Sequence, residues 1–367
     1  MIPMIVLFVA CISLAQPATK PTTQELPLPD VMVMADGTRV TSSEQWPKRR
    51  AELLELVQGN VYGHLPPPGG ETSFVEIIEH KVPSGMHRQY KITCGPQGKV
   101  SFVLDVMTPQ GDGKFPVILR GDWCWGKTPQ ATSEKILSRG YALAEFNRCE
   151  LAQDNERRET GLYLAYPEGD FGAAAAWAWG FHRCVDVLTK LPYIDAGKVA
   201  IVGHSRGGKA ALFAGATDER IALTIANNSG AGGAGSFKYQ PPDAESLARI
   251  TTKYGFWFSP KLKEFAGKEG SLPLDLHFVK ALVAPRALLT NEGLDDKWAN
   301  PSGTLKTHVA AKEVFRLLGA EEKLGIFFRP GKHEHGDADW MVMLDFADQV
   351  LLGKKSDRDF ASDQFAK

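Results

Sequence analysis

The sequence predicts an α/β fold, a three-layer sandwich in which a mostly parallel central sheet lies between helices, with a helical extension at the N-terminus. Two observations predict it. From Phe115 onward, short apolar runs ("FPVILRGD", "YALAEFNR", "KVAIVG", "IALTIANNS", "RALLTNE", "LGIFFRP") alternate with helical stretches ("GAAAAWAWGFHRCVDVLTKL", "GGKAALFAGA", "HVAAKEVFRLLG", "DWMVMLDFADQVLL"). Runs that are apolar throughout suit strands covered on both faces, and parallel strands need crossovers, usually helical, to join them. The second observation is the overall balance. The 367 residues are 43% hydrophobic and 23% charged with a net charge of −1. That supplies a large core and no bulk field that would select nucleic acid or an anionic membrane.

The chain opens with "MIPMIVLFVACISLAQPATK", apolar from Ile2 to Leu14. This run is too short to span a bilayer comfortably and ends in the small-x-small pattern Ser13-Leu14-Ala15. It reads as a signal peptide over residues 1–15, which implies a secreted or periplasmic protein with no stable membrane span. The absence of Lys or Arg before Lys20 is the weak point of that reading; a lipid anchor at Cys11 or a buried N-terminal element are the alternatives. Residues 16–30 are proline-rich and polar, a linker or surface arm. A helix is expected from about Ser43 to Gln58, closed by "HLPPPGG". "SFVEIIEH", "RQYKITC" and "VSFVLDVMTP" carry β-branched and alternating patterns and read as extended segments. One catalytic domain is expected over 31–353, followed by a polar tail over 354–367. Without the leader, Cys94, Cys124, Cys149 and Cys184 remain; the sequence does not choose among their three pairings, or between pairing and free thiols.

"KVAIVGHSRGGKAALFAGA" carries the chemistry. Gly203-His204-Ser205-Arg206-Gly207 matches G-x-S-x-G, and an apolar strand enters it while an Ala-rich helix leaves it. That context is the nucleophile elbow of the α/β-hydrolase fold. The serine stands on a strained turn flanked by small residues, and the next backbone N–H, of Arg206, points at the developing oxyanion. The bland alternative is a Gly-rich turn that merely starts a helix.

In this fold the acid and the histidine follow the serine in that order. "RALLTNEGLDDKWANP" offers Glu292, Asp295 and Asp296 just past a strand, and spacing from Gly293 favours Asp296. "LGIFFRPGKHEHGDADW" then delivers His333 and His335 from a Pro-Gly turn; both could serve as the base. The HxHxD spacing can also mark a metal site. Against that, Asp337 and Asp339 sit where they can cap the next helix, and no second HxH supplies further ligands. No metal and no cofactor are expected. His182, on a helix, reads as a structural histidine.

These residues resemble a family. "GHSRGGK" is similar to the G-C-S-R-x-G-K signature of glucuronoyl esterases, carbohydrate esterase family fifteen. "LPDVMVMADGTRVTSSEQWPKRRAELLELVQGNVYG", "GATDERIALTIANNSGAGGAG", "VKALVAPRALL" and "PGKHEHGDADWMVMLDFAD" resemble further blocks of bacterial members. The resemblance implies Ser205 as nucleophile, Asp296 as acid and His333, rather than His335, as base. It implies Arg206 at the oxyanion, Lys209 on the sugar hydroxyls and Trp298 against the sugar face. Two departures stand out. Asn228 occupies the place of the fungal triad glutamate, and an asparagine cannot supply charge. His204 and Glu334 replace the two cysteines that bridge in fungal members. "RGDWCWGK" matches no block of the family and bears on the substrate pocket.

The function these readings imply is a serine carboxylesterase for glucuronoyl esters that join glucuronoxylan to lignin alcohols, working as a monomer on a polysaccharide-linked substrate. An acetylxylan or other carbohydrate acyl esterase is the alternative within enzymes. A carbohydrate-binding protein that has lost catalysis is the alternative outside them.

Overall fold

The computed structural model describes residues 22–361; the expected leader lies outside them. The eleven strands among these residues are β1 (Gln24–Glu25), β2 (Ser73–Val82), β3 (Gly85–Cys94), β4 (Val100–Pro109), β5 (Phe115–Arg120), β6 (Ala142–Phe146), β7 (Ile194–His204), β8 (Leu223–Asn227), β9 (Tyr239–Gln240), β10 (Ala287–Gly293) and β11 (Leu324–Arg329). The helices are α1 (Trp46–Val57), α2 (Gln130–Ser138), α3 (Leu162–Ala165), α4 (Ala173–Leu188), α5 (Arg206–Thr217), α6 (Leu247–Lys253), α7 (His277–Val283), α8 (Pro301–Leu317) and α9 (Asp337–Leu352).

Nine strands form one sheet in the order β11-β10-β8-β7-β5-β6-β4-β3-β2. From β11 to β6 every neighbour is parallel, and from β6 to β2 every neighbour is antiparallel. The change follows the sequence pattern. Strands that are apolar throughout make the parallel half, buried on both faces, whereas β2 at the edge is exposed along almost its whole length. The fold is that of an α/β-hydrolase.

Each face of the sheet carries its own core. One includes Val117, Trp177, Trp179, Phe181, Leu212 and Phe213; the other includes Ile118, Val202, Leu289, Trp340, Leu344 and Phe346. Each such side chain stabilises the fold by about 1.5–3 kcal/mol through burial. In α4 every residue but Asp186 is buried, because the run of alanines lets the helix sit between the sheet, α5 and the loops above. Trp340, Leu344 and Ala347 form the buried stripe expected on α9, with Leu351 only partly covered.

Two elements differ in detail from expectation. α1 starts at Trp46 rather than Ser43, because Gln45 Oε1 accepts the Thr41 and Ser42 N–H groups in a turn and Pro47 fixes the first helical positions. Its end widens into a π-turn over Gln58–Tyr62 that stops at Gly63. The proline-rich arm is fastened to the body: Gln24 pairs with Gln240, and the Pro29 carbonyl accepts from His277 at 2.8 Å. In the tail, Phe360 is buried against Phe346 and Phe327.

Candidate active site

β7 delivers Ser205 at the carboxyl end of the sheet with φ 55° and ψ −122°, a conformation that side chains rarely adopt. The flanking glycines make it feasible. A Cβ on Gly203 would overlap the Gly207 carbonyl, and one on Gly207 would overlap the Asp122 carboxylate. Strand and helix therefore touch through backbone alone. Ser205 N–H donates to the Asn227 carbonyl at 2.9 Å, which pins the turn to β8. Behind it, Asp122 accepts the His204 N–H at 3.0 Å and pairs with Arg148, both side chains being fully buried. Burial alone would raise the Asp122 carboxyl, yet the Arg148 and Arg120 charges hold it below the usual carboxylate range.

Three of the sequence candidates come together in a line. His333 Nε2 lies 2.9 Å from Ser205 Oγ, and His333 Nδ1 lies 2.5 Å from Asp296 Oδ2. Asp296 also accepts from Asn228 Nδ2 at 2.7 Å and from the Ala299 N–H at 3.3 Å. Burial opposes its charge, but the bonds from His333 and Asn228 outweigh it and hold the carboxyl below its ordinary value. Asp295 turns instead to the Gly331 N–H at 3.2 Å. Glu292 is fully buried beside Thr304, and burial pushes its carboxyl up to about 8.

His335 has a different environment. Its ring is stacked between His204 (centroids 5.2 Å) and Trp340 (5.3 Å), with Nε2 buried and unpartnered. Burial, then the neighbouring His204 and Arg120, push it down to about 3, so it is neutral. Asp339 accepts from Arg329, Asn227, Asn291 and the Gly336 N–H, and Asp337 from Lys135 and Thr132. Among the described residues no group of histidines, cysteines or carboxylates is arranged to hold a metal. His182 bonds the Ala214 carbonyl at 3.2 Å inside the protein, far down to about 4 through burial.

In front of Ser205 and His333 opens a cleft of about 350 Å³. Arg206 leads its lining. The guanidinium pairs with Asp154 at 2.7 Å, lies 4.6 Å from the Trp257 ring centroid, and keeps a buried Nε without a partner. Lys209 lies deeper than the resemblance suggested: it is buried, and Nζ donates to the Ser229 and Ala231 carbonyls at 2.5 and 2.6 Å. Burial brings it down to about 8. A donor remains for the cleft, since an ammonium has three. Trp298 stands at the mouth, 37% exposed, under the Arg249 guanidinium at 4.2 Å.

The sequence reading missed Glu245, Arg249, Lys253, Tyr254 and Trp257, which line the same cleft. Glu245 is buried with Oε1 unpartnered, and burial raises its carboxyl against the pull of Lys209. Among the described residues, Arg249 and Lys253, one turn apart on α6, face no carboxylate within ion-pair reach. The spacing of Arg249 and Lys253 was the one available signal, and it became meaningful only once α6 was seen beside the elbow.

A family model described as glucuronyl esterase, fungi, matches residues 92–319. A carbohydrate esterase from an unknown prokaryotic organism is 32% identical over 89% of this chain and 90% of its own length. A 4-O-methyl-glucuronoyl methylesterase from Wolfiporia cocos is 31% identical over 88% of this chain and 79% of its own. The solved family 15 glucuronoyl esterase from Caldicellulosiruptor kristjansonii superposes with a TM-score of 0.81 at 33% identity, covering 92% of this chain and 93% of that one. The chain belongs to the glucuronoyl esterase family. It is a carboxylic ester hydrolase. As a family member it handles its two departures by packing and hydrogen bonding. Asn228 donates to the carboxylate that His333 engages, His204 stacks on the His335 ring, and Glu334 pairs with Arg329 at 3.1 Å.

Proposed function

We infer that this protein is an exported serine esterase that hydrolyses glucuronoyl esters linking xylan to lignin-type alcohols, acting as a monomer through an acyl-enzyme. The observation that carries the reading is the unbroken line from Ser205 Oγ through His333 to Asp296, at 2.9 and 2.5 Å. His333 takes the serine proton as Oγ attacks the ester carbonyl, and Asp296 holds the imidazole in the correct tautomer and stabilises its cation. The Arg206 N–H, without a helical partner at the first position of α5, and the free Arg206 Nε supply donors for the oxyanion. His333 then protonates the leaving alcohol, and water attacks the acyl-enzyme by the reverse route. The uronate ring is set against Trp298 and Trp257, with Glu245 and Lys209 meeting its hydroxyls.

The deciding experiment compares hydrolysis of methyl or benzyl glucuronate with that of an acetylated xyloside. Turnover of the uronate esters is expected; turnover of the acetyl compound alone overturns the substrate assignment. A fluorophosphonate probe is expected to label Ser205 in the folded protein, and failure to label would leave a binding protein.

A further inference from the structure

Cys124 and Cys149 stand in facing turns behind the elbow, and the ester chemistry uses neither. Cys124 lies in the turn Trp123–Trp125 after β5, and Cys149 in the turn Arg148–Glu150 after β6. Several ties hold these turns together. Asp122 and Asn147 form an antiparallel bridge at their base. Arg148 reaches from the second turn to pair with Asp122 and covers the Trp125 ring at 4.2 Å. Asn147 Oδ1 fixes the Cys149 N–H at 3.0 Å. Each cysteine stands two residues beyond a member of the Asp122–Asn147 bridge, and both are part-exposed. The other two cysteines are placed differently. Cys94 and Cys184 are buried, and Cys94 Sγ donates to the Val100 carbonyl at 3.8 Å.

We propose that Cys124 and Cys149 are an oxidisable pair that forms a disulfide by exchange with a small-molecule or protein disulfide, while Cys94 and Cys184 remain thiols. Cys149 supplies the attacking thiolate. The hydrogen bond from Cys124 and the Arg148 charge, against burial, bring it down to about 7, whereas Cys124 is pushed up. The Cys149 thiolate attacks one sulfur of the incoming disulfide and expels the other as a thiolate, giving a mixed disulfide. Cys124, losing its proton, then attacks Cys149 Sγ and expels the second thiolate. The protein pair loses two electrons and two protons, and the incoming disulfide is reduced to two thiols.

The bond would lock a turn that packs against the elbow. Trp125 packs edge-on to His204 at 6.3 Å and lies 5.5 Å from the Arg206 guanidinium. The chain beyond Cys149 carries Asp154, the partner of that same guanidinium. Cross-linking the turns therefore ties Trp125 to the segment that positions Arg206.

The test treats the full folded protein with oxidised glutathione, alkylates it, and maps the cysteines by peptide mass spectrometry. The expected result is a Cys124–Cys149 linked peptide, with Cys94 and Cys184 alkylated only after denaturation. Free Cys124 and Cys149 after oxidation, or a link that includes Cys94 or Cys184, overturns the proposal. In Cys124→Ser, which removes the resolving thiol, glutathione is expected to stay trapped on Cys149; an unmodified Cys149 overturns the assigned order of attack. The oxidised wild type is expected to melt several degrees higher than the reduced form, a difference that vanishes in Cys124→Ser. None of these readouts depends on which ester the enzyme cleaves.

Discussion

The two sides of the nucleophile elbow are built on opposite principles. In front, toward α6 and Trp298, the side chains are charged or aromatic, some buried and some open to the cleft, and several have donors or acceptors to spare: Arg206 Nε, Glu245 Oε1, Arg249 and Lys253. Behind, toward β5, β6 and α9, the groups are buried and mostly committed to one another: Asp122 with Arg148 and the His204 N–H, Asp339 with two asparagines and Arg329, His335 between two rings. The front can change partners when a substrate arrives. The back cannot, and it is what holds Ser205 at a backbone conformation that costs on the order of 1–3 kcal/mol. A site of this kind separates recognition from support, so substitutions on the two sides fail in different ways.

The sharpest break in the comparison is at the boundary itself. Ser205→Ala should lower kcat/KM on a glucuronate ester by at least about 10⁴-fold with an unchanged melting curve. Asp296→Asn should cost about 10²–10⁴-fold, since the imidazolium loses its counter-charge, whereas Asp295→Asn should change the rate by less than about threefold. A large loss in Asp295→Asn and none in Asp296→Asn would move the acid. On the front side, Trp298→Ala should raise KM by about tenfold and leave kcat within a few-fold, because a stacking surface is used equally by substrate and transition state. Measured kinetics with a matching fall in kcat would place Trp298 nearer the reacting bond.

The smallest effect on rate, and a distinct one on stability, belongs to the back. His335 is held neutral in the fold, down to about 3, against 6.5 for an ordinary histidine. Between those values the unfolded chain binds the proton and the folded one does not. Stability is therefore full above about pH 6.5 and falls as the pH drops toward 3. His335→Phe keeps a flat ring between His204 and Trp340 without a titrating nitrogen. It should flatten the fall of Tm between pH 7 and pH 4, by a few degrees, at a near-constant rate at neutral pH. An unchanged Tm–pH profile would show that the stack does not feel the proton.

How far the sequence could be read follows the same division. The elbow was legible because its constraints are local: small residues around Ser205, an apolar strand before and a helix after. The parallel strands were legible because burial on both faces leaves an apolar run. The candidate acid and base, Asp296 and His333, lie in short loops after such strands, where few residues compete. The front of the cleft was not legible. Glu245 to Trp257 run through a short helix and a 3₁₀ turn with no sustained period, and their position depends on packing against Trp298 and Asp154, far away in sequence. The Asp122–Arg148 pair was hidden for a similar reason, since only the pairing of β5 with β6 brings those turns together. The role of His335 was open because two histidines one residue apart look equivalent until one of them is seen to be stacked.

The cationic mouth of the cleft has a consequence for the reaction's end. A uronate ester arrives with its carboxyl group uncharged and departs as a carboxylate. Arg206, Arg249 and Lys253 line the cleft in which that charge appears, with Asp154 paired to Arg206 and Glu245 opposing it from the lining. Such a site welcomes the acid it makes. Free glucuronate is expected to compete with the ester, progress curves to bend before substrate is exhausted, and added salt to relieve both effects by screening the exposed cations. Turnover would then be set by how readily the enzyme lets the acid go.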